Sequence, residues 1–104
     1  MNGLYKAIYS VPGDRNEGIV FIDNGKIYGS DRTHAFYGTY TISGEALSAN
    51  LTRIQHAHGG YNMGGGGNEL TITGTLEGDK IRGKGTIPGV PVKMDILLQQ
   101  IKAI

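Results

Sequence analysis

Apolar and polar residues alternate with a period of two along most of the chain, the pattern of strands that bury one face. The first such segment places Tyr5, Ala7, Tyr9 and Val11 on one side and Lys6 and Ser10 on the other. The alternation predicts seven further strands, at residues 19–23, 26–29, 34–43, 46–58, 70–76, 81–87 and 90–98. A short C-terminal helix in LLQQIKAI is an alternative for the last segment.

Short turns join these segments, which predicts a meander of antiparallel strands. Asn24-Gly25 between two strand patterns is a strong hairpin signal, because both central residues of the turn need a positive φ. Eight strands with one buried face can close into a barrel, and closure removes exposed edges. Inward-facing glycines suit the sharp bends of a small barrel: these are Gly38, Gly74, Gly83 and Gly85. We therefore predict one all-β domain, residues 1–104, folded as an eight-stranded antiparallel up-and-down barrel, with two packed sheets of the same strand order as the alternative.

Length, charge and composition limit the number of domains and the classes of protein that fit this chain. The 104 residues fit a single domain, and the formal net charge is only +1. The chain has no Cys, which excludes disulfides and permits a reducing compartment. Its N-terminus lacks a signal-peptide pattern, and no apolar run reaches the length of a membrane span. We expect a cytoplasmic protein that binds neither membranes nor, directly, nucleic acid.

Several strand and turn signatures carry a family resemblance. They are Gly3-Leu4-Tyr5, Gly18-Ile19-Val20, the run from Asp23 to Asp31 (DNGKIYGSD) and Phe36-Tyr37-Gly38-Thr39-Tyr40. With these the chain resembles the GrlR-type negative regulators of type III secretion and their small bacterial relatives. The resemblance implies a calycin/lipocalin-like barrel that forms dimers and binds a transcriptional activator. It also implies an acidic surface motif just after the fourth strand, where this chain has Glu45.

Catalytic residues are hard to find in the sequence. Cys is absent, and the Ser residues lie in turns and strands without a recognisable nucleophile elbow. Eight of the nine acidic residues fall in predicted turns or strand ends, and Asp95 faces outward. No acidic side chain is predicted to point inward, so we expect an apolar, chemically inert interior and a protein that is not an enzyme and needs no cofactor.

One arrangement resembles a metal site. His56 and His58 are two residues apart on a predicted strand, so their side chains point the same way. His34 is the only other imidazole, and a zinc site normally needs three or four protein ligands. We therefore predict surface histidines and no bound metal.

The run GGYNMGGGG, Gly59–Gly67, joins two predicted strands. It is not a phosphate-binding loop, because no Gly-Lys-Ser/Thr follows and no helix begins there. We expect a mobile loop. Tyr61 and Met63 either contact a partner or cover the barrel mouth, or the loop is only a connection between two strands.

Positive charge is concentrated toward the C-terminus. Lys80, Arg82, Lys84 and Lys93 are predicted to share one outer face, and closure of the barrel brings Lys6 beside them. This basic stripe suits an acidic partner, and exposed strand lysines also serve simply to protect sheet edges.

Three functional hypotheses follow from these patterns. The first is a non-enzymatic, protein-binding regulatory barrel, dimeric through Tyr37, Leu97 and Ile101, with Glu45 and the basic stripe as partner-binding residues. The second is a carrier or sensor of a small apolar ligand inside the barrel, which would be lined by Tyr5, Tyr9, Phe36, Tyr40 and Met94. The third, an enzyme that uses the His pair, ranks last. A packed interior favours the first, and an interior cavity favours the second.

Overall fold

The computed structural model describes residues 1–57, 68–91 and 93–104. These residues form eight antiparallel strands: β1 Gly3–Val11, β2 Asp14–Asp23, β3 Lys26–Ser30, β4 His34–Ser43, β5 Ala46–Gln55, β6 Glu69–Glu77, β7 Lys80–Thr86 and β8 Met94–Ala103. Each strand pairs with its neighbour in sequence, and β1 also pairs with β8. The sheet is therefore a closed up-and-down barrel as predicted, and the alternative of two packed sheets is wrong.

Two-residue turns set the register of the hairpins. Asn24 and Gly25 have φ values of 46° and 85°, and Asp23 pairs with Lys26 on either side of them. This confirms the turn predicted from Asn-Gly, in which both central residues adopt positive φ. The turn at Gly44-Glu45 joins β4 to β5 in the same two-residue form.

The last strand differs from the sequence prediction in both of its ends. Strand β8 begins at Met94 and not at Val90, because Pro88 and Gly89 form a turn closed by a bond from the Val90 amide to the Ile87 carbonyl. It then continues to Ala103, so the alternative of a C-terminal helix is wrong. Pairing with β1 from Gly3 to Ser10 overrides the weak helical pattern of this segment.

Glycines permit the close approach of strands that closure requires. A Cβ atom at Gly38 would overlap the carbonyl oxygen of Asn50 on β5, and one at Gly83 would overlap the carbonyl oxygen of Thr73 on β6. Any side chain at these inward positions would push the neighbouring backbone away. The prediction that inward glycines serve the closure of the barrel is confirmed.

One continuous core fills the barrel. Inward residues from every strand contribute to it, and Ile22 is fully buried. Among the described residues, no helix is long and apolar enough to cross a membrane.

Candidate functional site

The barrel interior contains most of the residues predicted to line a ligand. Tyr5, Tyr9, Phe36 and Met94 are buried, and Tyr40 is half-buried against the same core. Three of them, Tyr9, Phe36 and Met94, border a cavity of about 50 Å³ whose walls are apolar. Tyr5 lies outside that lining, and its hydroxyl donates to the Met1 carbonyl oxygen at 2.8 Å.

A polar cluster lies beside this cavity at one end of the barrel. We name it the mouth cluster: Tyr9, Asp31, Thr33, His34 and Arg53. Arg53 points inward from β5 opposite Phe36 and is only 2% exposed. The Tyr9 ring meets the Phe36 ring edge to face, with centroids 6.0 Å apart, and its hydroxyl donates to the Asp31 carboxylate. The expectation of a wholly apolar interior is therefore wrong.

Asp31 is the centre of the mouth cluster because it accepts hydrogen bonds from two directions. Its Oδ1 accepts the backbone amides of Thr33 and His34 at 2.8 and 2.7 Å, which fixes the turn between β3 and β4. Its Oδ2 accepts the Tyr9 hydroxyl from β1. The carboxylate thus links the β3–β4 turn to strand β1 through hydrogen bonds.

The pKa values in the mouth cluster move away from neutrality. Burial raises the pKa of Asp31, but the bonds from Tyr9 and from the two amides outweigh it and hold the pKa below its usual 3.8. Burial, followed by the bond to Asp31, raises the pKa of Tyr9 well above its usual 10.0. Burial and the nearby Arg53 charge lower the pKa of His34. An acid or base that works at neutral pH needs a pKa near 7, so Asp31 and Tyr9 are poorly poised for proton transfer.

Of the predicted histidine pair, the structure describes only His56. His58 lies outside the described residues, as does the loop with Tyr61 and Met63. The Nε2 of His56 lies 3.1 Å from the carbonyl oxygen of Asp31. Because a carbonyl oxygen only accepts, this nitrogen carries the proton and donates. Within residues 1–57, 68–91 and 93–104, no group of three or more His, Asp or Glu residues is placed to hold a metal ion.

The outer wall of β1 to β4 carries a row of apolar side chains. We name it the aromatic row: Leu4, Phe21, Tyr28 and Tyr37, which are successive cross-strand partners. Tyr28 and Tyr37 are 47% and 45% exposed, and Leu4 is 36% exposed. Tyr37 was predicted at a dimer interface, and the register shows that it belongs to a larger patch. Exposed contiguous apolar surface of this kind is typical of interaction sites.

The other two residues predicted for a dimer interface lie away from Tyr37. Leu97 is half-buried on β8, four strands from β4 and so on the opposite wall of the barrel. Ile101 is 58% exposed on β8, where the register with β1 shifts. The structure therefore does not bring Tyr37 and Leu97 into one patch.

The predicted partner-binding residues lie in the β4–β5 turn, along β7 and just before β8. Glu45 is exposed in the β4–β5 turn. Lys80, Arg82 and Lys84 point outward along β7, and Lys93 is exposed just before β8 begins. Lys6 reaches this wall as predicted, since Gln99 of β8 pairs with both Lys6 and Lys80. The stripe is partly neutralised, because Arg82 lies 3.3 Å from Glu77 and Lys84 contacts Asp95.

The mouth cluster is the part of the site that sequence reasoning missed. Two signals point to it in retrospect. Arg53 follows Leu47, Ala49 and Leu51 at the same parity, which places it on the inward face of β5. Asp31 precedes Thr33 by two residues, the spacing of a turn in which an Asp side chain caps a backbone amide.

Neither a protein-family model nor a curated protein sequence matches this chain.

Proposed function

We propose that this protein is a non-enzymatic, protein-binding barrel of the regulatory kind, which acts through its outer wall and forms a homodimer. The observation that carries the proposal is the aromatic row. Its two tyrosines, Tyr28 and Tyr37, are nearly half exposed. Aromatic side chains are enriched in the centres of protein interfaces.

The small interior cavity supports a surface function over a carrier function. Ligand pockets typically enclose about 300–1,000 Å³, whereas the cavity beside Tyr9 and Phe36 measures about 50 Å³. Core side chains fill most of the described interior. A carrier of a small apolar ligand is the alternative, and it would require these side chains to move apart.

The chemistry of the mouth cluster supports a non-enzymatic role. Asp31 already accepts four hydrogen bonds, from the Tyr9 and Thr33 hydroxyls and from two backbone amides, and its lowered pKa makes it a weak base. Tyr9, with its raised pKa, is a weak acid. We assign the cluster a structural role, in which the carboxylate compensates part of the charge of buried Arg53 and closes one end of the barrel.

The resemblance to GrlR-type regulators supports a more specific form of the proposal. In that form the partner is a transcriptional activator, the protein is a cytoplasmic dimer, and no cofactor is needed. Glu45, exposed in the β4–β5 turn, is then the counterpart of the acidic motif after the fourth strand.

Sedimentation velocity tests the dimer directly. The wild-type chain of 11.1 kDa should sediment at twice its mass, and Tyr28→Ser combined with Tyr37→Ser should sediment as a monomer. Each hot-spot residue of an interface contributes about 2 kcal/mol or more to the binding free energy. Loss of one such residue therefore weakens dimerisation on the order of 30-fold. Ile42→Ser is the matched control, since Ile42 is 41% exposed on the β4–β5 hairpin, away from the row.

A far-UV circular dichroism spectrum shows that each variant keeps its strands. A wild-type protein that remains monomeric at high concentration would contradict the dimer. A dimer that persists in the double variant would show that another surface carries it.

A further inference from the structure

A groove crosses the outer wall of the barrel and shares only strand β1 with the aromatic row. It encloses about 590 Å³ over β6, β7, β8 and β1. Gly74 and Gly83, which are cross-strand partners, line its floor and allow the wall to bend. Four neighbouring strands span roughly 14 Å, which is the length of about four residues of extended chain. The groove has the size of a short peptide segment.

The centre of the groove is apolar. Leu97 of β8 and Ile8 of β1 are direct cross-strand partners, and both are half-buried. They lie between Arg82, which is the cross-strand partner of Leu97 on β7, and Glu17, which is the partner of Ile8 on β2. An apolar side chain of a partner could pack on this pair and still leave its neighbours within reach of the charges.

Two cations on β7 line the groove, Arg82 and Lys84. Arg82 is paired with Glu77, and Lys84 is paired with Asp95. The side chains of these cations are 56% and 59% exposed. Exposed ion pairs contribute little to stability, so both cations can interact with a further carboxylate at little cost.

Positive charge predominates around the groove. The outward positions of β6, β7, β8, β1 and the start of β2 carry six cations and four carboxylates: Lys6, Arg15, Lys80, Arg82, Lys84 and Lys102 against Glu17, Glu69, Glu77 and Asp95. The formal net charge of the whole chain is only +1, so this wall is more basic than the rest of the molecule. Such a wall attracts an acidic partner and orients it.

We propose that this groove binds an acidic linear segment of a partner protein in an extended conformation. One apolar side chain of the segment packs on Ile8 and Leu97, and flanking carboxylates meet Arg82 and Lys84. The inference rests on the proposed protein-binding function and names the chemistry of the partner. It also assigns Leu97 to partner binding and leaves the aromatic row free for the second subunit.

The composition of the groove disfavours nucleic acid. Single-stranded nucleic acid is usually bound by aromatic side chains that stack on its bases. None of the described residues that line the groove is aromatic.

Fluorescence polarisation tests the proposal with a labelled peptide that has one leucine flanked by two acidic residues on each side. We expect saturable, salt-sensitive binding to the wild-type protein. Arg82→Gln with Lys84→Gln should weaken it roughly fivefold to tenfold, and Leu97→Ser should weaken it roughly tenfold. Lys26→Gln, an exposed charge on β3, is the matched control and should leave binding unchanged.

Altered peptides and amide chemical shifts test whether the peptide binds in this groove. Replacing the leucine of the peptide by alanine should weaken binding as much as Leu97→Ser does, and replacing its acidic residues by lysine should abolish it. Amide chemical shifts should change at residues 73–75, 82–84 and 95–97. Shift changes confined to another surface, or equal loss of binding in the Lys26 variant, would overturn the proposal.

The outcome is separable from the test of the proposed function. Absence of peptide binding at millimolar concentration, with the dimer intact in sedimentation, overturns the groove assignment and leaves the protein-binding barrel standing. Tighter binding of a single-stranded oligonucleotide than of the acidic peptide overturns it in favour of nucleic acid.

Discussion

Replacement of Tyr9 by phenylalanine removes one hydroxyl from the mouth cluster and little else. The phenyl ring retains the edge-to-face contact with Phe36. Asp31 keeps the amides of Thr33 and His34. The single interaction lost is the bond from the tyrosine hydroxyl to the carboxylate.

The size of the effect follows from the charge of the acceptor. A hydrogen bond to an ionised group contributes about 1.5–3 kcal/mol to stability, compared with about 1 kcal/mol for a neutral pair. Tyr9 is only 8% exposed, so water does not readily replace its hydroxyl. We therefore expect Tyr9→Phe to lower the free energy of unfolding by about 1.5–3 kcal/mol near neutral pH.

Acid should reduce this difference. The folded-state pKa of Asp31 is below its usual 3.8, so its contribution to stability is complete above that value and is lost as the pH falls through the folded-state pKa. Tyr9 is part of the cause, and its removal should move the pKa of Asp31 back toward 3.8. The wild-type protein and Tyr9→Phe should therefore converge in stability below about pH 3.8.

Urea unfolding followed by far-UV circular dichroism is the suitable assay, since the chain has no Trp. The protein concentration must be fixed, because the proposed dimerisation would contribute to apparent stability. Thr41→Val is the matched control, because it removes an exposed hydroxyl outside the aromatic row and should change stability by less than about 0.5 kcal/mol. A Tyr9→Phe protein as stable as this control, or a deficit that does not shrink in acid, would refute the assigned role of Asp31.

Three further predictions concern the interior. The pKa of His34 is lowered in the folded protein, so below about pH 6.5 the unfolded chain binds more protons and the wild-type protein loses stability as the pH falls. His34→Gln should make this loss smaller. Urea unfolding across that pH range measures the free energy of unfolding of both proteins. Gly38→Ala should cost roughly 1–3 kcal/mol, because its Cβ would overlap the Asn50 carbonyl oxygen; thermal unfolding with no loss of stability would contradict the close approach. Ile22→Ala should cost about 2–5 kcal/mol, whereas the same change at Ile42, which is 41% exposed, should cost far less. Equal costs in urea unfolding would contradict the assigned core.

The fold was predictable because local signals agree along the chain. Period-two alternation, the Asn24-Gly25 turn and glycines at inward positions all favour hairpins that close into a barrel. The last strand was less certain, because the LLQQIKAI pattern permits a helix when read alone. Its pairing with β1, which is distant in sequence, decides the outcome.

The candidate site was less predictable for the same physical reason. Tyr9, Asp31 and Arg53 come from three distant segments, and only the register of the closed barrel brings them together. The alternation along β5 places Arg53 on its inward face, but the role of a charged residue on an apolar face cannot be interpreted until the group that it contacts is known. Leu97 was predicted beside Tyr37 because both face outward, and the order of strands around the barrel separates them.

Native mass spectrometry of the protein purified gently from its own host tests the central claim most directly, since it reports subunit number and retained small molecules together. If the barrel acts through its outer wall, the spectrum should show a dimer of the 11.1 kDa chain without a small molecule. A monomer that carries a stoichiometric small molecule would contradict the account and make the protein a carrier.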